Sequence, residues 1–290
     1  MDSLKKLLNL HEEATDLRLR NVSDKYGARV FPKVRLADVL PIENSGISDS
    51  DYRFALQAHF DFVVANATST PLFGVEFDGP YHRNPEQKAR DDTKDALCER
   101  FDFPLLRINS NYLQKKYRDM DLLSWFVEVW FAREWFDDAQ KSGLLPYGEP
   151  FTPWSFTGIP GSDKPFPLCL SSQASNKMRK LFFDGKVKDF IPSHSVALSD
   201  DGTYRAIAFI RITADSGVMV ETAMRAHSFV MSPQEGLSEI IVLQLYECLM
   251  EVLSGSTKAV PVQKIDKRVR SFDEKYRILV GARNCKNIDK

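Results

Sequence analysis

The chain has 290 residues, enough for one large domain or two ordinary ones, and a formal net charge of -1. That balance excludes simple electrostatic coating of DNA or RNA, although a local groove can still be basic. Four scattered cysteines (Cys98, Cys169, Cys248 and Cys285) show neither CxxC nor a zinc-spaced histidine, so free thiols in a reducing cytosol are favoured over disulfides or zinc.

The opening MDSLKKLLNLHEEATDLRLR is too charged for a signal peptide, and no apolar run approaches ~20 residues, so a cytoplasmic protein with no membrane span is expected. Leu4 to about Val22 predicts an amphipathic helix with Leu7, Leu10, Ala14 and Leu17 on one face. Val30 to Val34 alternates as a strand does, and Pro41 to Ser50 has the composition of a loop. Phe60 to Ala65 and Leu72 to Phe77 are apolar, β-branched runs and predict two strands. Pro85 to Arg100 predicts a helix, with the proline suited to an early position. Pro104 to Ile108 predicts a short buried strand, reached by a crossover into a mixed sheet. Asp119 to Lys141 predicts a long helix whose Trp125, Phe126, Trp130, Phe131, Trp135 and Phe136 recur at helical spacing, a pattern of packing more than of base stacking.

The order to that point is αβββαβ, in residues 1–142. Residues 143–167, rich in Pro and Gly with Trp154 and Phe156, predict a linker or wrapping segment. Residues 168–290 predict a second, α+β domain. Tyr204 to Thr213 and Val218 to Thr222 flank a turn at Ala214 to Gly217, Ala226 to Met231 is a third strand candidate, and Ser232-Pro233-Gln234-Glu235 opens a helix that Gly255 ends. That strand and helix order is loosely similar to double-stranded-RNA-binding folds.

Asp61 and Glu76 lie inside or at the end of the two apolar strands. Burying an unpaired carboxylate is costly, and two on neighbouring strands repel unless a cation lies between them. Strand alternation lets Asp61 meet Glu76 across the ladder, with the Phe77 carbonyl beside them. Such oxygens suit Mg²⁺ and phosphate chemistry; the same residues also fit a turn start and a solvated edge. Gln87, Asp91 and Lys94 share one face of the following helix. Lys94 could reach the groove, or the face could be ordinary solvated surface. Gly79-Pro80 turns His82 toward the carboxylates, as a proton carrier, a phosphate contact or a plain surface histidine.

The ordered set FDFVV, GVEFDGPYH, QKARDDTKDALC and FPLLRI resembles the PD-(D/E)XK nuclease superfamily, and within it a bacterial branch of uncharacterised domains related to short-patch-repair endonucleases. The resemblance covers roughly Leu7 to Asn111. It implies an α/β, restriction-endonuclease-like αβββαβ core with a mixed central sheet. It implies a Mg²⁺-dependent endonuclease with Mn²⁺ as substitute, acting on nucleic acid with DNA preferred, in bacterial defence or repair. Asp61 and Glu76 would hold the metal with the Phe77 carbonyl, and Lys94 would replace the usual lysine two residues after the second acid, where Asp78 stands. Gln87 and His82 would contact phosphate or nucleophile, and a first-helix glutamate, Glu13 in preference to Glu12, would join them. Because of Asp78, a catalytically inactive nucleic-acid-binding or assembly module on a nuclease-derived fold is the alternative. A protein partner or homo-oligomer is a third reading.

Two basic stretches could track phosphates: Lys177, Arg179, Lys180, Lys186 and Lys188, and Lys258, Lys264, Lys267, Arg268 and Arg270.

Overall fold

A computed structural model describes residues 6–78, 85–117, 120–151 and 170–282. They form two compact units. One holds the described residues before position 152 together with His227–Met231, and the other holds those from 170 to Ala226 and from Ser232 onward.

In the first unit, α1 (Leu10–Ser23) starts at Asn9, whose side chain accepts from the backbone of His11 and Glu12 while Glu12 reaches back to the Asn9 N–H. This reciprocal cap satisfies orphan donors and fixes the start. The helix therefore begins later than the leucine pattern suggests, and its buried face is Glu12, Thr15, Leu19, Val22 and Ser23. Leu7 and Leu10 are 90% and 77% exposed, so the expected stripe faces solvent.

Strand β1 (Arg29–Arg35) follows, then α2 (Asp49–Gln57), which Ser48 caps by accepting from the Asp51 N–H. The loop reading of Pro41 to Ser50 runs into this helix, which the sequence pattern did not announce. Strands β2 (His59–Ala65) and β3 (Pro71–Phe77), helix α3 (Pro85–Arg100) and strand β4 (Leu105–Ile108) lie close to where the patterns put them. The sheet order is β1-β2-β3-β4, antiparallel except for the parallel β3/β4 pair joined through α3. One core cluster brings Leu36, Ala55, Phe60, Val63, Leu97, Cys98, Phe103 and Leu105 together, so α2, α3, β2 and β4 share it, with Val34 of β1 packed against it.

A short β5 (Lys115–Tyr117) and β6 (Met120–Asp121) precede α4 (Leu122–Lys141), capped by the Asp121 carboxylate on the Ser124 N–H. Trp125 and Phe126 are fully buried, as the packing reading expects. His227–Met231 is not the expected strand. Phe229 instead enters the first unit's aromatic core, with ring centroids 5.2 Å from Phe73 and 5.3 Å from Trp130.

The second unit opens with α5 (Leu170–Phe183) and β7 (Ser193–Leu198), a strand with no clear sequence signal. Strands β8 (Tyr204–Arg211) and β9 (Ser216–Met224) form the expected hairpin. Helix α6 (Pro233–Leu253) carries the Ser232/Glu235 capping box and stops before Gly255, whose φ of 81° suits a residue without Cβ. Strand β10 (Val260–Pro261), helix α7 (Val262–Lys275) and strand β11 (Arg277–Ala282) complete an antiparallel sheet ordered β10-β9-β8-β7-β11. Helix α6 packs on this sheet and against α5. No helix among the described residues is long and apolar enough to cross a membrane.

Candidate metal and phosphate centre

The antiparallel register of β2 and β3 pairs Phe62 with Val75 and Val63 with Gly74. One step further, Asp61 stands opposite Glu76. The Asp61 N–H lies 3.3 Å from Glu76 Oε1, and the Phe77 N–H donates to Asp61 Oδ2 at 2.9 Å. The register also brackets Lys33 opposite Asp61, between the pairs Pro32/Phe62 and Val34/Phe60, and aligns Glu76 with Arg107. A row of four charges, Lys33, Asp61, Glu76 and Arg107, thus crosses the sheet.

Each carboxylate has a cation at hand. Lys94 Nζ donates to Glu76 Oε1 at 2.7 Å and to the His59 carbonyl at 2.8 Å. Lys33 Nζ bridges Glu12 Oε1 at 2.5 Å and Asp61 Oδ1 at 2.7 Å. Lys33 holds a left-handed φ of 54°, an uncommon backbone for a residue with a Cβ. His11 stacks on Phe77 with ring centroids 5.1 Å apart and closes the α1 side.

Burial pushes the Glu76 carboxyl up to about 7 against the pull of Lys94, and the like charge of Asp61 adds to the rise. For Lys33, burial works against the charge, but hydrogen bonds to Asp61 and Glu12 outweigh it and hold the ammonium above the usual lysine range.

Arg107 organises the next layer. Its guanidinium donates to Asp95 at 2.7 Å and to Asp78 at 3.1 Å, and lies 3.8 Å from the Asp91 carboxylate. Burial lowers its basicity, and Asp95, Asp78 and Glu76 more than restore it. The Asp78 carboxylate therefore has a cation partner of its own, on β4.

Among the sequence candidates, Asp61, Glu76, Lys94 and the backbone of Phe77 come together. Gln87 donates to Asp91 Oδ1 at 3.1 Å, which ties it to the Arg107 layer. Glu13 is corrected: it is exposed and pairs with Lys6 at 3.2 Å, while Glu12, one residue earlier, is the buried acid beside Lys33. A helical residue turns by about 100° per position, so one step in register separates the two faces. Asn9-x-x-Glu12 was the signal that could have chosen between them. His82 lies outside the described residues, as does most of 143–167. Lys33 and Arg107 had no sequence signal, since their partners are set by strand pairing.

Carboxylates and a backbone carbonyl are hard oxygen donors, the chemistry Mg²⁺ and Mn²⁺ prefer. No group of three or more His, Cys, Asp or Glu side chains is arranged to hold a metal among the described residues. A pair suffices for Mg²⁺, which commonly takes one or two carboxylates and keeps several waters. Of the second basic stretch, Arg268 is bound bidentately to Glu221 at 2.6 Å on each arm. Cys98 and Cys248 are free thiols.

Residues 5–122 match a family described as a protein of unknown function, DUF2726. That span takes in Glu12, Lys33, Asp61, Glu76, Lys94 and Arg107. No curated protein and no solved structure matches the chain.

Proposed function

We propose that this chain is a Mg²⁺-dependent nuclease that hydrolyses phosphodiester bonds, with DNA as its preferred substrate. The first unit's αβββαβ order, with α2 inserted, is read here as a restriction-endonuclease-like core. The observation that carries the proposal is the juxtaposition of Asp61 and Glu76 with Lys94 Nζ 2.7 Å from Glu76 Oε1.

Asp61 and Glu76, with the Phe77 carbonyl, would hold Mg²⁺, and Mn²⁺ would substitute. The bound cation would lower the pKa of water and offset charge on a phosphate. The chain's own residues do the rest. Lys94 has three N–H donors, and the His59 carbonyl and Glu76 use two. The third would meet developing charge on a phosphate oxygen. Phe77 N–H fixes the Asp61 carboxylate, and Arg107 pins β4 to α3, the helix that carries Lys94.

The test is incubation of purified protein with plasmid and Mg²⁺ or Mn²⁺ beside an Asp61→Ala control. Nicking or cutting by the parent alone supports the reading, whereas equal cutting by both sinks it. A second reading, a non-catalytic nucleic-acid-binding or assembly module, is favoured by the ammonium groups of Lys33 and Lys94 that already neutralise the acids. Titration calorimetry separates the two: heat from neither Mg²⁺ nor Mn²⁺ selects the second.

A further inference from the structure

Outside the acidic centre, the end of α5 and the loop after it gather aromatic and cationic side chains on the surface of the second unit. Phe182, Phe183 and Phe190 form a mutual edge-on trio, with ring centroids 5.5 to 5.8 Å apart. Phe183 is 75% exposed and Phe190 is 42% exposed. The Arg179 guanidinium sits 5.5 Å over the Phe190 ring. Lys180, Lys186 and Lys188, neighbours of the trio in sequence, are all exposed.

Two acids interrupt the cations, Asp184 and Asp189. Asp189 is buried and bound to Arg211 through two or more hydrogen bonds at 2.7 to 3.2 Å, so it serves the fold and not the surface. Between positions 179 and 190 the exposed charges are Arg179, Lys180, Lys186 and Lys188 against Asp184, a cationic excess in a chain whose net charge is -1. Exposing phenylalanine faces to water is unfavourable, and contiguous exposed apolar surface commonly marks a binding site. A ligand with flat π-faces and regularly spaced negative charge meets both demands, and a nucleic acid with unstacked bases has both.

We propose that the Phe183/Phe190 surface binds single-stranded nucleic acid. Bases stack on the phenylalanine rings, and phosphates lie along Lys180, Lys186 and Lys188. A duplex offers the phosphates but hides its base faces, so the patch prefers single strands. This inference does not depend on the nuclease reading, although it would give a nuclease its substrate grip.

The test uses the whole chain in EDTA with fluorescein-labelled oligothymidylate, followed by anisotropy. Loss of one stacked base in Phe183→Ala should weaken binding between about fivefold and about 150-fold. Phe183→Trp should keep the affinity and show indole quenching on binding. Lys186→Gln with Lys188→Gln should flatten the log-affinity against log-salt slope by about 0.7 per lysine. Equal binding by Phe183→Ala and the parent, no binding by the parent, or duplex bound as tightly as single strand would each overturn the proposal. So would binding of phosphatidylserine vesicles in place of the oligomer, which would make this a membrane face. Plasmid cutting without oligomer binding defeats the patch alone, while oligomer binding without cutting leaves it standing and defeats only the nuclease.

Discussion

Lys94 on α3 and Glu76 on β3 form a buried ion pair, Nζ to Oε1 2.7 Å, at the heart of the charged row that crosses the first sheet. The pair ties the crossover helix to the strand it has just left.

Removing one member strands the other. Lys94→Met leaves Glu76 buried beside Asp61 without its ammonium, at a cost of about 3–5 kcal/mol of stability. Adding Glu76→Gln should recover part of that loss, because no buried charge is then unpaired. Urea unfolding of both single variants and the double variant measures the coupling. A double variant as unstable as the sum of the singles contradicts the pairing.

The two first-helix glutamates should part company. Glu12→Gln removes the buried acid that holds Lys33, and should lower Mg²⁺ affinity or Mg²⁺-dependent cutting by about 10- to 100-fold, the usual effect of losing a group that orients a metal ligand. Glu13→Gln changes an exposed residue paired to Lys6 and should leave both near the parent values. Calorimetry and plasmid assays on the pair decide it, and the reverse ranking would place the helix in another register.

Acid should loosen the first unit through His227. Burial lowers this imidazole to about 4 from an ordinary 6.5, with its Nδ1 accepting from the Phe229 N–H at 3.3 Å. A folded-state value below the unfolded one means the neutral form is the stable one. Its contribution is complete above about 6.5 and is lost as pH falls toward about 4, by roughly 3 kcal/mol. His227→Phe should remove that part of the pH slope while the rest of the acid sensitivity remains. Unfolding free energies of both proteins across that window give the difference, and superimposed slopes would refute it.

Gly217 should not tolerate a methyl group. A Cβ there would lie 2.6 Å from the Ile210 carbonyl oxygen and 3.1 Å from Ile265 Cδ1, where α7 covers the β8/β9 hairpin. Backbone cannot yield as a side chain can, so Gly217→Ala should cost about 1–3 kcal/mol. Gly148→Ala, where a Cβ meets nothing within 4 Å, should change stability by less than about 0.5 kcal/mol. Thermal unfolding of the two variants compares them directly.

Local chemistry determined much of this protein without tertiary help. The runs HFDFVVA and PLFGVEF read as strands from their apolar, β-branched residues, their alternation puts Asp61 and Glu76 each on a definite face of its own strand, and Pro85 and Ser232 mark helix starts that the structure keeps. These features depend on φ/ψ preference and side-chain period within a few residues. Strand β7 stayed hidden because its residues carry no strong period, and the Ser48-x-x-Asp51 cap that opens α2 lies within a stretch of loop composition.

Tertiary pairing decided the rest. The Asn9-x-x-Glu12 cap marks the acid, but that Glu12 meets Lys33 depends on how α1 docks. Lys33 and Arg107 flank the carboxylates only because four strands align in one register, and Phe229 belongs to the first unit's core although it lies beyond the second unit's hairpin. Each of these is a contact between residues far apart in sequence. Its energy is realised only when the chain closes the intervening loops, so no local pattern records it.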